Sequence, residues 1–269
     1  MLFNNIYGCD LEREAVQLTY FSLSLALLDA LSPKEIWKNV HFDNLIGKNL
    51  FPGDFFEHLF NKKINEEFDL IIGNPPFDSN FTSFASKVDT EEKSNNPDRP
   101  NIPDFQIAIL FLEQSLKLLL RRGNCCLIMP SGPFLYNTNV HEFRKYLFEN
   151  FDFKEIYDFT PLRTKLFIGS SSQARPSVAA VLAENNKPEG DPIYHLVFRR
   201  TKASGEKIEF EIDHYDIHAV AYETALNLPK VWQANFMGGG RLHQLVERLT
   251  GLRTLKDYLD RKSTRLNSS

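Results

Sequence analysis

Apolar and polar positions switch between two periods along the first two thirds of the chain, as alternating strands and helices require. Residues 3–9 read as a strand, which Asp10 closes. Val16, Tyr20, Leu23 and Leu27 then recur at helical spacing and share one face. The turn at Ser32-Pro33 leads through a weakly patterned region to a strand-like segment near 45–51 and to Gly53-Asp54-Phe55-Phe56. Phe68-Asp69-Leu70-Ile71-Ile72-Gly73 is an apolar run bounded by Gly and Pro, the pattern of a buried parallel strand. Residues 78–103, rich in Ser, Asn, Asp and Pro, predict a long loop, either functional or disordered. Phe105, Ala108, Ile109, Leu112, Leu116 and Leu119 mark an amphipathic helix, with Arg121-Arg122-Gly123 as its stop. Cys125 to Met129 predicts a second buried strand halted by Pro130. A helix over 139–149 and strands near 153–159 and 177–183 follow.

This succession is that of an α/β protein with a doubly wound, mostly parallel sheet closed by an antiparallel β-hairpin. It predicts a core over residues 1–190. Mixed, charged segments replace the alternation over 191–260, with a polar helical stretch at 241–260, and read as a connector. Residues 261–269 are polar and patternless, either read-through at the edge of a sequenced fragment or a flexible natural tail. No internal repeat is present.

Composition narrows this picture slightly. A chain of 269 residues with 42% hydrophobic and 25% charged residues can bury a substantial core. No apolar run approaches the roughly 20 residues of a membrane span, and the opening MLFNNIYGCD lacks the layout of a secretory signal. The expectation is a cytoplasmic protein with no membrane contact. Cys9, Cys125 and Cys126 sit in apolar stretches with no histidine at metal-ligand spacing; they read as small buried hydrophobes, and no metal site is expected. The net charge of -4 is unusual for a whole DNA-binding protein. A local cluster, Arg199, Arg200, Lys202 and Lys207, is either a phosphate-contacting patch or a solvated hairpin.

The chemistry concentrates at Asn74-Pro75-Pro76-Phe77, directly after the apolar run at 68–73. Ligands of doubly wound sheets bind at the carboxyl ends of strands. Two prolines stiffen the backbone and remove donors, so their carbonyls and the Asn74 side-chain oxygen can converge as acceptors. A flat amine whose lone pair is delocalised into a ring becomes nucleophilic when both of its hydrogens are accepted in this way. Phe77 offers a face for the ring to stack on. The bland alternative is a rigid Pro-Pro turn closing a strand, with Asn74 as its cap.

Asn-Pro-Pro-Phe in this setting resembles the catalytic motif of the amino-methyltransferases, above all the gamma-ordered N6-adenine DNA methyltransferases of fused type II restriction–modification and phage-defence proteins. The resemblance implies a Rossmann-like fold, S-adenosyl-L-methionine as cofactor, and Asn74, Pro75, Pro76 and Phe77 as catalytic residues. Ile6-Tyr7-Gly8-Cys9-Asp10-Leu11 resembles the family's second strand, which implies that Asp10 binds the cofactor ribose; the alternative is a solvated acid opening a helix. Gly53-Asp54-Phe55 resembles the loop after the third strand, which implies that Asp54 contacts the cofactor adenine and Phe55 lines its ring; the alternative for Asp54 is a helix N-cap. Arg122-Gly123 through Pro130-Ser131 resembles the family's helix, glycine and strand. Leu166-Phe167 resembles the hairpin whose aromatic stacks on the flipped base, so Phe167 joins Phe77 as a target-stacking residue, or else is hairpin core. Trp232 to Leu259 resembles the connector to a target-recognition domain.

The front of the chain departs from the family pattern, because its first strand and glycine-rich loop are not recognisable. Gly238-Gly239-Gly240 is the one downstream glycine cluster, and it reads as a linker turn or, in a permuted order, as that loop. The resemblance implies a methyltransferase core truncated at both ends, inactive as this fragment. Its partners would be double-stranded DNA with a flipped adenine and restriction or defence subunits. A protein glutamine amide or RNA amine as substrate, or a non-catalytic module, are the other readings.

Overall fold

The computed structural model describes residues 5–29, 31–39, 44–65, 67–166, 177–199 and 212–238, with a few positions between 242 and 253. The chain divides into two compact units, Met1–Glu66 with Phe81–Asp98, and Glu67–Asn80 with Arg99–Ser269.

The first unit is built on two short parallel strands, β1 (Gly8–Asp10) and β2 (Leu50–Pro52), in register Gly8↔Leu50 to Asp10↔Pro52. Between them lie α1 (Arg13–Asp29) and α2 (Pro33–Asn39). Val16 packs with Leu45 and Leu50, and Tyr20 and Leu23 flank that cluster, so the expected stripe does face the strands. A capping box opens α2: Ser32 donates its backbone N–H to Glu35 at 2.9 Å, and Glu35 donates its own N–H to Ser32 Oγ at 3.4 Å. After β2 come α3 (Phe55–Phe60) and α4 (Ser83–Asn95).

The helix α4 lies inside the stretch expected to be a loop. Its start is set by Thr82, whose hydroxyl accepts from Ala85 N–H at 3.1 Å. It buries Ala85 and Val88 alone, a stripe too narrow for periodicity to register among polar neighbours.

The second unit carries a six-stranded sheet in the order β3-β4-β6-β5-β7-β8. Its elements are β3 (Phe68–Gly73), α5 (Ile107–Lys117), β4 (Leu119–Pro130), α6 (His141–Asn150), β5 (Asp152–Asp158), α7 (Arg163–Leu166), β6 (Val178–Glu184), β7 (Ile193–Val197), β8 (Ile217–Val220), α8 (Tyr222–Asn227) and α9 (Val231–Gly238). β3, β4, β5 and β7 run one way, and β6 and β8 run against them. This is the α/β architecture that the sequence predicts, with the antiparallel β5–β6 hairpin in place, but the sheet is mixed rather than mostly parallel: β3–β4 and β5–β7 pair parallel, while β4–β6, β5–β6 and β7–β8 pair antiparallel. β6 is inserted between β4 and β5, which do not pair with each other.

Three further expectations need correction. β3 is parallel but not buried: among the described residues it pairs with β4 alone, and Leu70 and Ile72 are 59% and 72% exposed. Arg121-Arg122-Gly123 does not stop α5, which ends at Lys117; the triplet lies in β4 at a register shift against β3. A bulge and a helix stop share the same residue types there, because Arg122 has φ 65° and Gly123 has the Phe68 carbonyl 2.7 Å from where a Cβ would stand. Finally, the sheet does not end near residue 190. Ile193, His195 and Val197 alternate inward along β7, and α9 packs back with Trp232 fully buried against Phe148 and His195. The outward positions are Tyr194 and Leu196 and the inward ones include His195, so no apolar-polar alternation marks the strand.

Candidate active site

The β3 ladder ends at Gly73↔Leu127, and a Cβ at Gly73 would sit 3.1 Å from Leu127 Cδ2. Asn74 emerges beyond it exposed; Pro75 is buried, Pro76 exposed and Phe77 half-buried. The far end of this span is tied to the start of α5. Ile107 donates its backbone N–H to Asp78 O at 3.2 Å, and Gln106 Nε2 donates to Ser79 Oγ at 2.7 Å. The Ile107 N–H belongs to the first helical turn and has no intrahelical acceptor, so the bond satisfies an orphan donor. Asn74 to Phe77 is thus held between a strand ladder and a helix start, with two residues that carry no N–H. Their carbonyls and the Asn74 amide oxygen remain as acceptors at the carboxyl end of a parallel strand.

The same edge of the sheet carries a polar cluster that the sequence reading missed. Asp158, at the end of β5, is fully buried. Tyr136 donates its hydroxyl to Asp158 Oδ2, while Thr160 donates its N–H (2.9 Å) and hydroxyl (2.5 Å) to Oδ1. Thr160 Oγ1 also lies 2.6 Å from Ser131 Oγ, at the end of β4. On its other side Asp158 Oδ2 faces His195 Nε2 at 3.5 Å, too long for a well-aimed hydrogen bond. Burial pushes the Asp158 carboxyl up, but His195, Thr160 and Tyr136 more than offset this and hold it below the usual range. Burial, then the Asp158 charge, pushes the Tyr136 phenol well above its ordinary value, so it stays a donor.

Segment Gly132–Tyr136 follows Ser131 as a single π-helical turn, a form common at functional sites. Arg144, sealed inside α6, donates Nη1 to the carbonyls of Phe134 (2.7 Å) and Leu135 (3.2 Å). No spacing rule points to these residues; the nearest signal was Pro130-Ser131 at a strand end.

In the first unit, Asp10 and Asp54 stand together at the carboxyl ends of β1 and β2, joined by Gly53 N–H donating to Asp10 O at 2.8 Å. Both carboxylates, after burial itself, push the Cys9 thiol up to about 12. Asp10 is exposed, and its Oδ1 accepts from Glu12 N–H at 2.8 Å. Asp54 caps α3 by accepting from Phe56 N–H at 2.8 Å, and its Oδ2 accepts from Thr82 Oγ1 at 2.7 Å. The cap alternative for Asp54 therefore describes its structural role. A carboxylate has about four lone-pair sites, so capacity for a further donor remains. Phe55 is half-buried, edge-on to Phe56 at 5.3 Å. Gly53 has φ +123° with His58 Nε2 3.2 Å from a would-be Cβ, which restricts the position to glycine.

Phe167, Gly239, Gly240, Arg200, Lys202 and Lys207 lie outside the described residues. Arg199, from the same basic cluster, pairs with Asp216 at 2.8 Å. Among the described residues no group of His, Cys, Asp and Glu could hold a metal ion, and no helix is long and apolar enough to cross a membrane.

A model of the Eco57I restriction-modification methylase family matches residues 4–167. The curated type II restriction enzyme and methyltransferase RM.Eco57I of Escherichia coli is 28% identical over 160 residues, which are 54% of this chain and 16% of that protein. A type I restriction-modification methyltransferase subunit from Streptococcus thermophilus shares the fold. It has a TM-score of 0.51 at 15% identity, over 84% of this chain and 42% of that one. The chain spans well under half the length of either protein.

Proposed function

Because the chain belongs to the Eco57I restriction-modification methylase family, we propose that it forms the catalytic part of an enzyme that methylates adenine N6 in DNA. The observation that carries this reading is Asn74-Pro75-Pro76-Phe77 clamped between the end of β3 and the start of α5. The Asn74 amide oxygen and the Pro75 carbonyl accept the two hydrogens of the target amine, which frees its lone pair. Phe77, with Phe167, stacks on the base after it leaves the duplex. Asp158, Thr160 and Ser131 tie the end of β5 to the end of β4, the strand paired with β3.

S-adenosyl-L-methionine supplies an electrophilic methyl group on a positively charged sulfur. The residues present fit its adenosine end. Asp10 Oδ1 is used by α1, which leaves Oδ2 to accept from ribose hydroxyls, and Asp54 and Phe55 stand one strand away for the adenine. No described residue is assigned to its methionine end. Double-stranded DNA, restriction or defence subunits and a cytoplasmic setting complete the reading.

The test is methyl transfer from labelled cofactor to unmethylated duplex DNA, with the modified base identified by mass spectrometry. N6-methyladenine is expected, with Asn74→Ala lowering the rate by about 100-fold or more. Label on cytosine, or on a glutamine-containing protein in preference to DNA, would overturn it. A second reading, that the chain is non-catalytic alone, is favoured by the outer edge of β3, unpaired among the described residues, with Leu70 and Ile72 exposed. Cofactor binding without transfer would select it.

A further inference from the structure

Helix α9 is bound to the catalytic edge at three points. Arg144 is sealed from solvent with no acid beside it among the described residues, and burial pushes it down to about 10. Its fork is spent instead on carbonyls of two separate segments: Phe134 and Leu135 after β4, and Pro229 at 3.3 Å, just ahead of α9. The Tyr136 ring lies 5.5 Å from Phe236 of α9, while its hydroxyl is given to Asp158. Asp158 faces His195, whose Nδ1 lies 3.5 Å from Asn235 Nδ2 of α9, and Trp232 of α9 stands edge-on to the same imidazole at 5.4 Å. Arg199 Nη2 adds a bond to Asn235 O at 3.4 Å.

We propose that Arg144 and Asp158 are positioning residues that lock α9 to the Ser131–Tyr136 segment, so that a displacement of α9 moves the end of β4 beside Asn74. The register supports this transmission. β3 and β4 pair in step from Leu70↔Asn124 to Gly73↔Leu127, and β4 runs on to Pro130, so the strands that lead into Asn74 and Ser131 are adjacent in one sheet. The inference rests on the reading above for the role of Asn74: a load placed on α9 would be reported to the target-amine site without touching it. The relay itself is a property of the fold and holds whatever the chain methylates.

Coupling is reciprocal, so it is tested from both ends by amide hydrogen exchange on the full chain. Tyr136→Phe removes one hydroxyl at the sheet edge and is expected to speed exchange of Val231 and Ala234 in α9 several-fold. Asn235→Leu, nearly isosteric in α9, is expected to speed Ser131 and Asn137 to a similar degree. The double variant should show less than the product of the two effects, and Cys125 to Leu127 in mid-β4 should stay at the wild-type rate. In a Trp37→Phe background Trp232 is the single tryptophan, and acrylamide quenching of its emission should rise in Tyr136→Phe. Effects confined to the mutated side, multiplicative effects in the double variant, or a uniform rise that includes mid-β4 would each overturn the proposal. None of these readouts needs cofactor or DNA, so a chain that methylates nothing still answers the question.

Discussion

Arg99 and Glu113 meet through two parallel hydrogen bonds, Nε to Oε1 at 2.7 Å and Nη2 to Oε2 at 2.6 Å, with both side chains sealed from solvent. Lys117 adds a contact to Oε1 at 3.1 Å, and the guanidinium lies 4.9 Å over the Phe143 ring. The pair fixes the chain ahead of α5, and so the helix start that holds Asp78. Removing one partner leaves a buried charge, so Arg99→Ala is expected to cost about 3–5 kcal/mol, read from urea unfolding. Arg99→Met with Glu113→Leu should lose far less.

Gly123 is a steric prediction of a different kind. A Cβ there would lie 2.7 Å from Phe68 O and 2.9 Å from Leu120 O, both backbone atoms that cannot step aside. Gly123→Ala is expected to destabilise by about 1–3 kcal/mol through overpacking. Gly132→Ala, with nothing within 4 Å of its Cβ, should be close to neutral in the same denaturation series.

His218 gives stability a pH dependence. Burial, with the neighbouring His195 and Arg199, pushes it down to about 4 from an ordinary 6.5, against a smaller opposite pull from Asp216. The native state therefore resists a proton that the unfolded chain accepts. Stability from this group is full above about pH 6.5 and falls as the pH drops toward 4. His218→Gln should flatten that part of the curve, measured as denaturation midpoints between pH 7.5 and 4.5.

Asp10 can be separated into turn-former and ligand by two substitutions. Asp10→Ala loses both the Glu12 N–H contact and the proposed ribose contact; Asp10→Asn keeps the side-chain acceptor for that turn but surrenders the charge. Titration calorimetry with S-adenosyl-L-methionine is expected to show at least about tenfold weaker binding for both, roughly 1.4 kcal/mol. Wild-type affinity in either variant would remove Asp10 from the site.

β3 exposes Leu70 and Ile72 on one face, and among the described residues no strand pairs with its outer edge. Such an edge recruits other strands. Ile72→Lys is expected to reduce self-association in sedimentation velocity while changing unfolding free energy by less than about 0.5 kcal/mol. A wild-type chain that stays monomeric at high concentration would refute it.

The legible parts of this protein are those where one residue type has one physical use. The α1 stripe, the β5–β6 hairpin and the strand ahead of Asn74 were readable because apolar period and turn chemistry agree there. The Arg122-Gly123 bulge was not, since a basic residue and a glycine serve a helix end equally well. Helix α4 hid behind a two-residue buried stripe. β7 hid because its inward positions include His195, which no hydrophobic scan counts. Asn74 to Phe77 stand out as a candidate because two prolines and an amide directly after an apolar run are an uncommon combination. Asp158 does not, since a lone acid closing a strand is ordinary until Tyr136, Thr160 and His195 arrive from elsewhere in the chain.

The insertion of β6 between β4 and β5 also governs the order of assembly. β4 is complete at residue 130 and β5 at 158, yet neither can pair with the other; both must wait for 178–184. On the ribosome, two ready strands would therefore stand with unmet edges while the intervening chain is made. Closure of the sheet then depends on a late, sequence-distant segment rather than on local zippering.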